Sequence, residues 1–269
     1  VSILTVEDPD DPRVAAFRDI RERDLTGREG LFVAEGEVVL NVLLSAQSLC
    51  RPSAVLMAAH RIEQRAELLA RVPSGVPIYA ASQAVLDRIA GFALHRGILA
   101  LGEKPPEPDV DDLLHQLPER AVVLAASGIG NHDNMGGLFR NAAAFGASAL
   151  LRDDQCCDPF YRKSIRVSVG AVLRTPTGVA GSTGAVVDRL EAAGFEVIAL
   201  SPSAREPLAS MARGGRQALL VGSEGPGLPA DILRRVRTVG IPMAGGFDSL
   251  NVATSAAIAL HQICDPSVT

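Results

Sequence analysis

The 269-residue sequence predicts an α/β protein, with a mostly parallel sheet in its C-terminal part and a small α/β domain before it. Three observations carry that prediction. Short continuous apolar runs alternate with longer stretches of helical period, the pattern of strands buried on both faces between covering helices. The composition, 47% hydrophobic and 21% charged, is that of an ordinary globular chain long enough for one large or two modest domains. One stretch, GEKPPEPDVDD at 102–112, packs three prolines and five acids into eleven residues and cannot sustain a core element. It divides the chain into a domain at 1–104, a linker at 105–118 and a domain at 119–269.

In the first part, residues 12–25 mix polar and apolar positions as a helix does. GLFVAEG reads as a strand and EVVLNVLLSA as a helix; SAVLMA is a strand and RIEQRAELLARV a helix. VPIYAA is a strand, SQAVLDRIAG a helix with a serine cap, and RGILALG a strand. In the second part, strands are expected at RAVVLAAS, ASALLR, FEVIAL, QALLVGS and RTVGIPM, with helices at 134–146, 183–193, 229–236 and 249–263.

Several function classes are disfavoured. No run reaches the roughly 18 uninterrupted apolar residues of a membrane helix, and the N-terminus VSILTVEDPDDPR turns acidic at once, unlike a signal peptide. A cytoplasmic location is the expectation. Cys50, Cys156, Cys157 and Cys264 form no C-x-x-C pair and the five histidines do not cluster, so neither a metal site nor a disulfide framework is expected. A net charge of −5 argues mildly against nucleic acid, but a local patch can override it. Between Pro159 and Val187 there is no acid, and Arg162, Lys163, Arg166 and Arg174 stand there; a solvated helix face would carry the same residues. Arg13, Arg18, Arg21, Arg23 and Arg28 are interleaved with Asp19, Glu22 and Asp24, which reads as a solvated face too.

Ligands of doubly wound sheets sit beyond the carboxyl ends of strands, and three such ends are unusual here. The first is SGIGNHDNMGGLFRNAAAFGAS, where Asn131 or Asn134 can cap a helix and Gly136 and Gly137 permit close backbone approach. A capped helix explains those residues but not Arg140, the lone charge in 134–151, whose guanidinium fork suits a phosphate. The second is LLVGSEGPGLP, 219–229, which lacks the Gly-Lys-Ser/Thr of a Walker loop and carries Glu224, better suited to a nucleoside or a cation than to a polyphosphate. A plain strand-to-helix turn would read the same way. The third is GIPMAGGFDSLNVATSAAIALHQ, 240–262, where Ser249 can open a helix and Asn251 is a poor helix former that can face the same cleft as Arg140 and Glu224.

The ordered trio resembles the SpoU/TrmH-type RNA 2′-O-ribose methyltransferases of the SPOUT superfamily. The first motif matches at Asn134, Gly136, Leu138, Arg140, Ala142, Phe145 and Gly146. The second matches at Gly222, Glu224, Gly225, Gly227 and Leu228, and the third at Ile241, Pro242, Met243, Ser249, Leu250, Asn251 and Val252. RKSIRVSVGAVLRTP is similar to the segment between the first two. The resemblance covers about 120–264; GLFVAEGEVVLNVLL is more loosely similar to a ribosomal-protein-like RNA substrate-binding domain. Asn131-His132 stands where the family usually has Asp-Pro.

The resemblance implies S-adenosylmethionine as methyl donor, a ribose 2′-hydroxyl of rRNA or tRNA (not DNA) as acceptor, a deep C-terminal trefoil knot, and a homodimer with its active site at the interface. It implies catalytic roles for Arg140, Asn134, Glu224, Ser249 and Asn251, and cofactor contacts at Gly222, Glu224, Ile241, Met243 and Leu250. Arg140, Arg162, Lys163 and Arg166 are the candidates for gripping RNA. Arginine is effectively always protonated, so Arg140 can serve either as the family's proposed base or as a cation that stabilises developing alkoxide charge. A non-catalytic RNA-binding protein on the same fold is the alternative. A dehydrogenase-type glycine loop fails because Asp133 fills the third glycine position after Gly128 and Gly130.

Overall fold

The computed structural model of the chain describes residues 3–18, 30–245 and 248–264. In chain order the strands are β1 (Ile3–Val6), β2 (Leu31–Glu35), β3 (Arg51–Ala58), β4 (Ile78–Ala81), β5 (Ile98–Glu103) and β6 (Ala121–Ser127). They continue as β7 (Ala149–Arg152), β8 (Thr177–Val179), β9 (Glu196–Leu200), β10 (Glu206–Pro207), β11 (Arg216–Gly222) and β12 (Arg237–Gly240). The helices are α1 (Glu37–Leu43), α2 (Ala66–Leu69), α3 (Gln83–Ala90), α4 (Val110–His115), α5 (His132–Phe145), α6 (Arg162–Val167), α7 (Thr183–Ala192), α8 (Ala230–Arg235) and α9 (Val252–Ile263). The chain forms two compact units. One is Val1–Pro105 with Asp158–Arg174, the other Pro106–Cys157 with Thr175–Thr269.

The first unit holds a five-stranded sheet in the order β1-β4-β3-β5-β2. β1, β4 and β3 are parallel, while β5 runs antiparallel to both β3 and β2. Leu86 and Ile89 of α3 pack onto Val33, Leu56 and Tyr79, one helical turn apart on a single face. Ser82 caps that helix through Val85 N, and Gly91 ends it at φ 76°, a left-handed position that suits glycine. The helix expected at 12–25 is a 3-10 turn over Pro12–Phe17, and its continuation, with Arg21, Arg23 and Arg28, lies outside the described residues. The single helix expected over 61–72 is instead two 3-10 turns, at Ala59–Arg61 and Glu63–Arg65, followed by the short α2. Its buried residues, Leu68, Leu69 and Val72, all lie at the C-terminal end, so the first half has no packed face to hold a helix.

Residues 158–174, which follow the first motif in sequence, pack with this first unit. Arg162 pairs with Glu35 at 2.9 Å and Lys104 with Asp158 at 2.5 Å. Leu49 N donates to Leu173 O at 2.8 Å.

The second unit holds a seven-stranded sheet, β10-β12-β9-β11-β6-β7-β8. Every pairing in it is parallel. The five strands expected from apolar runs are its interior; the two edge strands, β8 and β10, are too short to show a pattern. Residues 110–115, inside the stretch read as linker, form α4, capped by Asp109, and bury Val110 and Leu114 in the core of this unit. Their spacing puts both on one helical face. α5 and α9 pack together so closely that a Cβ on Gly137 would lie 2.7 Å from the Ala253 Cβ. Asn141 Nδ2 donates to Ala253 O at 2.6 Å across the same seam.

Candidate active site

The sheet order brings the unusual loops together. β6 and β11 are neighbours, with Ser127 opposite Gly222, so the first two loops leave the sheet side by side. β9 separates β11 from β12, and the chain leaving β12 returns as α9. A cleft of about 510 Å³ opens at these carboxyl ends. Gly222, Ser223 and Glu224 form one wall and Ile241 and Met243 another. Ser249, Leu250 and Asn251 close it on the α9 side. This is the position and size at which α/β sheets hold small ligands.

The backbone of the second loop is tightly folded. A Cβ on Gly222 would lie 2.6 Å from both Gly227 C and Leu228 N, so only glycine fits under the returning chain. Gly225 and Gly227 have φ of 88° and 68°, which lifts Glu224 to the exposed rim of the turn.

Asn251 joins the three loops. Its Nδ2 donates to Asn134 Oδ1 at 2.8 Å and to Glu224 Oε1 at 3.0 Å. Its Oδ1 accepts from Ala253 N at 2.9 Å and Thr254 N at 3.2 Å, which makes Asn251 the N-cap of α9. The expectation that Ser249 opens this helix is therefore corrected. Both residue types cap well, but the helix begins at Val252, and Ser249 lies on the exposed cleft wall instead. In the first motif Asn131 is the cap and α5 starts at His132, two residues earlier than expected. Asn134 is thereby free to face Asn251.

Arg140 stands apart. It is the ninth residue of α5, roughly 9 Å of helix rise beyond Asn134. It is exposed, does not line the cleft, and its side chain makes no hydrogen bond or ion pair with a described residue. Glu224 is joined to Asn251, not to Arg140. Arg162, Lys163 and Arg166 lie on α6 in the first unit, where Arg162 sits over the Phe92 ring at 4.4 Å and Lys163 and Arg166 are exposed. Among the described residues no three His, Cys, Asp or Glu side chains group as metal ligands, and no helix is long and apolar enough to cross a membrane.

The structure adds Leu200, Ser201 and Pro202 to the cleft. Ser201 is buried and its Oγ lies 3.0 Å from Ser203 Oγ. These residues follow FEVIAL directly. The carboxyl-end rule applied to that strand, as to the other three, points to them. The cleft thus combines apolar walls, hydroxyls, backbone groups and one carboxylate. It suits an uncharged ring system attached to a cationic group, and among the described residues no Lys or Arg lines it to meet a polyphosphate.

Residues 121–261 match the model of the SpoU rRNA Methylase family. The chain is 38% identical over 275 residues to an uncharacterized tRNA/rRNA methyltransferase of Mycobacterium bovis, covering 97% of this chain and 92% of that one. Its structure is similar to that of an RNA 2′-O ribose methyltransferase, with a TM-score of 0.77 and 26% identity over 96% of this chain and 97% of the other. It is also similar to the SpoU methyltransferase AviRb of Streptomyces viridochromogenes in complex with AdoMet, with a TM-score of 0.76 and 25% identity over 93% and 94% of the two chains.

Proposed function

Because the chain belongs to the SpoU rRNA Methylase family, we propose that it methylates a ribose 2′-hydroxyl of ribosomal or transfer RNA, with S-adenosylmethionine as donor. The observation that carries this reading is the Asn251 bridge, which ties Asn134 of the first motif and Glu224 of the second to the third at the rim of one cleft.

The residues present fit the donor. Leu200, Val221 and Leu250 offer apolar walls for an adenine, and Glu224 offers a counter-charge for a cationic group. When bound, the cofactor would supply an electrophilic methyl group. The chain's own task is to hold an oxygen nucleophile in line at about 3–3.5 Å, and positioning of this kind supplies as much as ~7–11 kcal/mol. Among the described residues neither His nor Cys lines the cleft to take the hydroxyl proton. Arg140 is proposed to bind the RNA phosphate beside the reacting ribose and to stabilise the oxygen as its proton passes to solvent water.

The exposure of Arg140 away from its own cleft supports a further part of the reading, a homodimer in which this arginine completes the partner's site. The trefoil knot that the resemblance implies belongs to the same proposal. The first unit is proposed to bind the RNA substrate. Exposed Lys163 and Arg166 on the short α6, beside the Arg162–Phe92 stack, add positive charge to the surface of this unit, as RNA phosphate binding requires.

The test is transfer of labelled methyl from S-adenosylmethionine to total RNA stripped of modifications, fractionated by size afterwards. Alkali-stable label confined to one RNA class, and absent with Arg140→Ala, is the expected result. A protein that binds the cofactor but labels no RNA would be a binding protein on this fold.

A further inference from the structure

Behind the first loop, outside the cleft, lies a buried carboxylate for which the proposed reaction has no use. Asp153 follows β7 and is 2% exposed. Its two oxygens accept from Gly128 N at 3.0 and 3.1 Å, and Oδ1 accepts from Gln155 N at 3.2 Å. Thr183 Oγ1 donates to Oδ2 at 3.0 Å. With the one Thr183 hydroxyl proton directed there, Ser127 Oγ, 2.7 Å from Thr183 Oγ1, is the donor in that pair. Burial pushes the Asp153 carboxyl up, but the hydrogen bonds it accepts, that from Gly128 N foremost, outweigh burial and hold the group below the usual carboxylate range.

The same turn holds the neighbouring backbone. Asp153 N donates to Ala126 O at 3.0 Å, and Cys157 N donates to Ile129 O at 2.8 Å. Ile129 N donates to Cys156 Sγ at 3.3 Å, and Cys156 Sγ in turn donates to Ala126 O at 3.4 Å. The polar backbone atoms of Ala126 O, Gly128 N, Ile129 N and Ile129 O therefore all end on residues 153–157. Gly128 sits at φ 65°, a conformation that a free loop would share with many others. Two residues beyond Ile129, Asn131 caps α5 and sets the direction in which Asn134 points.

We propose that Asp153 is a positioning residue for methyl transfer, holding Gly128–Asn131 in the conformation from which Asn134 meets Asn251. The proposal rests on the methyltransferase reading. A carboxylate suits this place because an apolar side chain there would leave Gly128 N, Gln155 N and the Thr183 hydroxyl without acceptors. None of Gly128, Ile129, Asp153, Cys156 and Thr183 lines the cleft, so the clamp is expected to act on turnover rather than on cofactor affinity.

The experiment compares Asp153→Asn with the native full-length protein by three readouts: amide hydrogen exchange at 128–135, S-adenosylmethionine affinity by calorimetry, and kcat and KM for methyl transfer. The variant keeps the volume but turns an NH2 toward existing donors. The expected result is faster exchange at 128–135, unchanged exchange at 218–222, unchanged cofactor affinity and KM, and kcat lower by about 10- to 100-fold. Unchanged kcat overturns the proposal, as does a loss that follows weakened cofactor binding. If Asp153→Asn does not fold, Thr183→Ala is read by the same three measurements, with Thr183→Ser expected to restore the native values; no change with Thr183→Ala overturns the clamp. Should the native protein bind the cofactor yet transfer no methyl, the function proposal fails by itself, and unchanged exchange at 128–135 in the variant would sink the clamp separately.

Discussion

Asn251 donates its side-chain amide to Asn134 at 2.8 Å, across 117 residues of chain. The same Nδ2 reaches Glu224, and the side-chain oxygen is occupied by two backbone amides at the start of α9. An asparagine amide has two protons and an oxygen that accepts twice, and here all four capacities are used. One residue thus ends a loop, starts a helix and fixes two polar groups at the cleft.

These two roles can be separated. Asn251→Ser keeps an oxygen for the cap and loses both amide donors, whereas Asn251→Ala loses cap and bridge together. The Ala variant is expected to lose about 1 kcal/mol more stability than the Ser variant, the usual worth of a cap. Both are expected to lose methyl transfer. Denaturation midpoints and turnover, measured side by side, test this; a Ser variant with native turnover would show that the bridge is dispensable.

Gly222→Ala tests the second loop. The new methyl carbon would meet the backbone of Gly227 and Leu228 at 2.6 Å, and backbone there cannot move without moving the cleft wall. Overpacking of this kind costs about 1–3 kcal/mol. The expected outcome is a lower thermal midpoint together with weakened S-adenosylmethionine binding by calorimetry. Native affinity in a folded variant would mean that the loop does not shape the cofactor site.

Legibility of the fold follows the physics of each element. Strands β6, β7, β9, β11 and β12 show in the sequence because a parallel strand covered on both faces needs an unbroken apolar run. β8 and β10 do not, being three and two residues long. The excursion of 158–174 to the first unit is invisible for another reason. Phe160, Ile165, Val172 and Leu173 are apolar, but apolarity does not say which of two cores a residue joins. In the site, the glycines, Asn134 and Asn251 stand out because each is costly in or beside a helix unless it has a task, and Glu224 because it is the one acid in LLVGSEGPGLP. The choice between Ser249 and Asn251 as cap is beyond residue type, because both types cap. Asp153 goes unnoticed in the sequence because one aspartate after a strand looks like a turn residue; only its burial and its donors single it out.

Three cysteines are expected to be silent in the native protein. Burial pushes the Cys50 and Cys156 thiols up to about 12 and Cys264 to about 11. The thiolate is the reactive form, so at pH 8 about one part in 10³ to 10⁴ of each is available. Alkylation followed by peptide mass spectrometry is expected to leave all three unmodified until denaturant is added. The sign of the pH linkage follows. Each thiol is harder to ionise folded than unfolded, so its contribution to stability is complete below the unfolded value of 9.0 and is lost as pH rises toward the folded values. Denaturation midpoints are expected to fall between about pH 9 and 12. Rapid native alkylation of Cys156 would contradict its persistent contact with Ile129.

Arg140 gives the sharpest test of the whole site. It is exposed and its side chain makes no hydrogen bond or ion pair with a described residue, so Arg140→Ala is expected to change stability by no more than about 0.5 kcal/mol. Its loss is expected to abolish methyl transfer. Arg140→Lys keeps the charge but not the planar fork that grips phosphate, and is expected to remain severely impaired. Mixing Arg140→Ala with Asn251→Ala then asks whose cleft this arginine serves. If it acts in the partner's cleft, each mixed dimer has one intact site, and a random mixture recovers roughly one quarter of native turnover. If it acts in its own cleft, every site in the mixture carries a defect and nothing is recovered. Turnover after mixing, unfolding and refolding the two inactive variants together decides between the two.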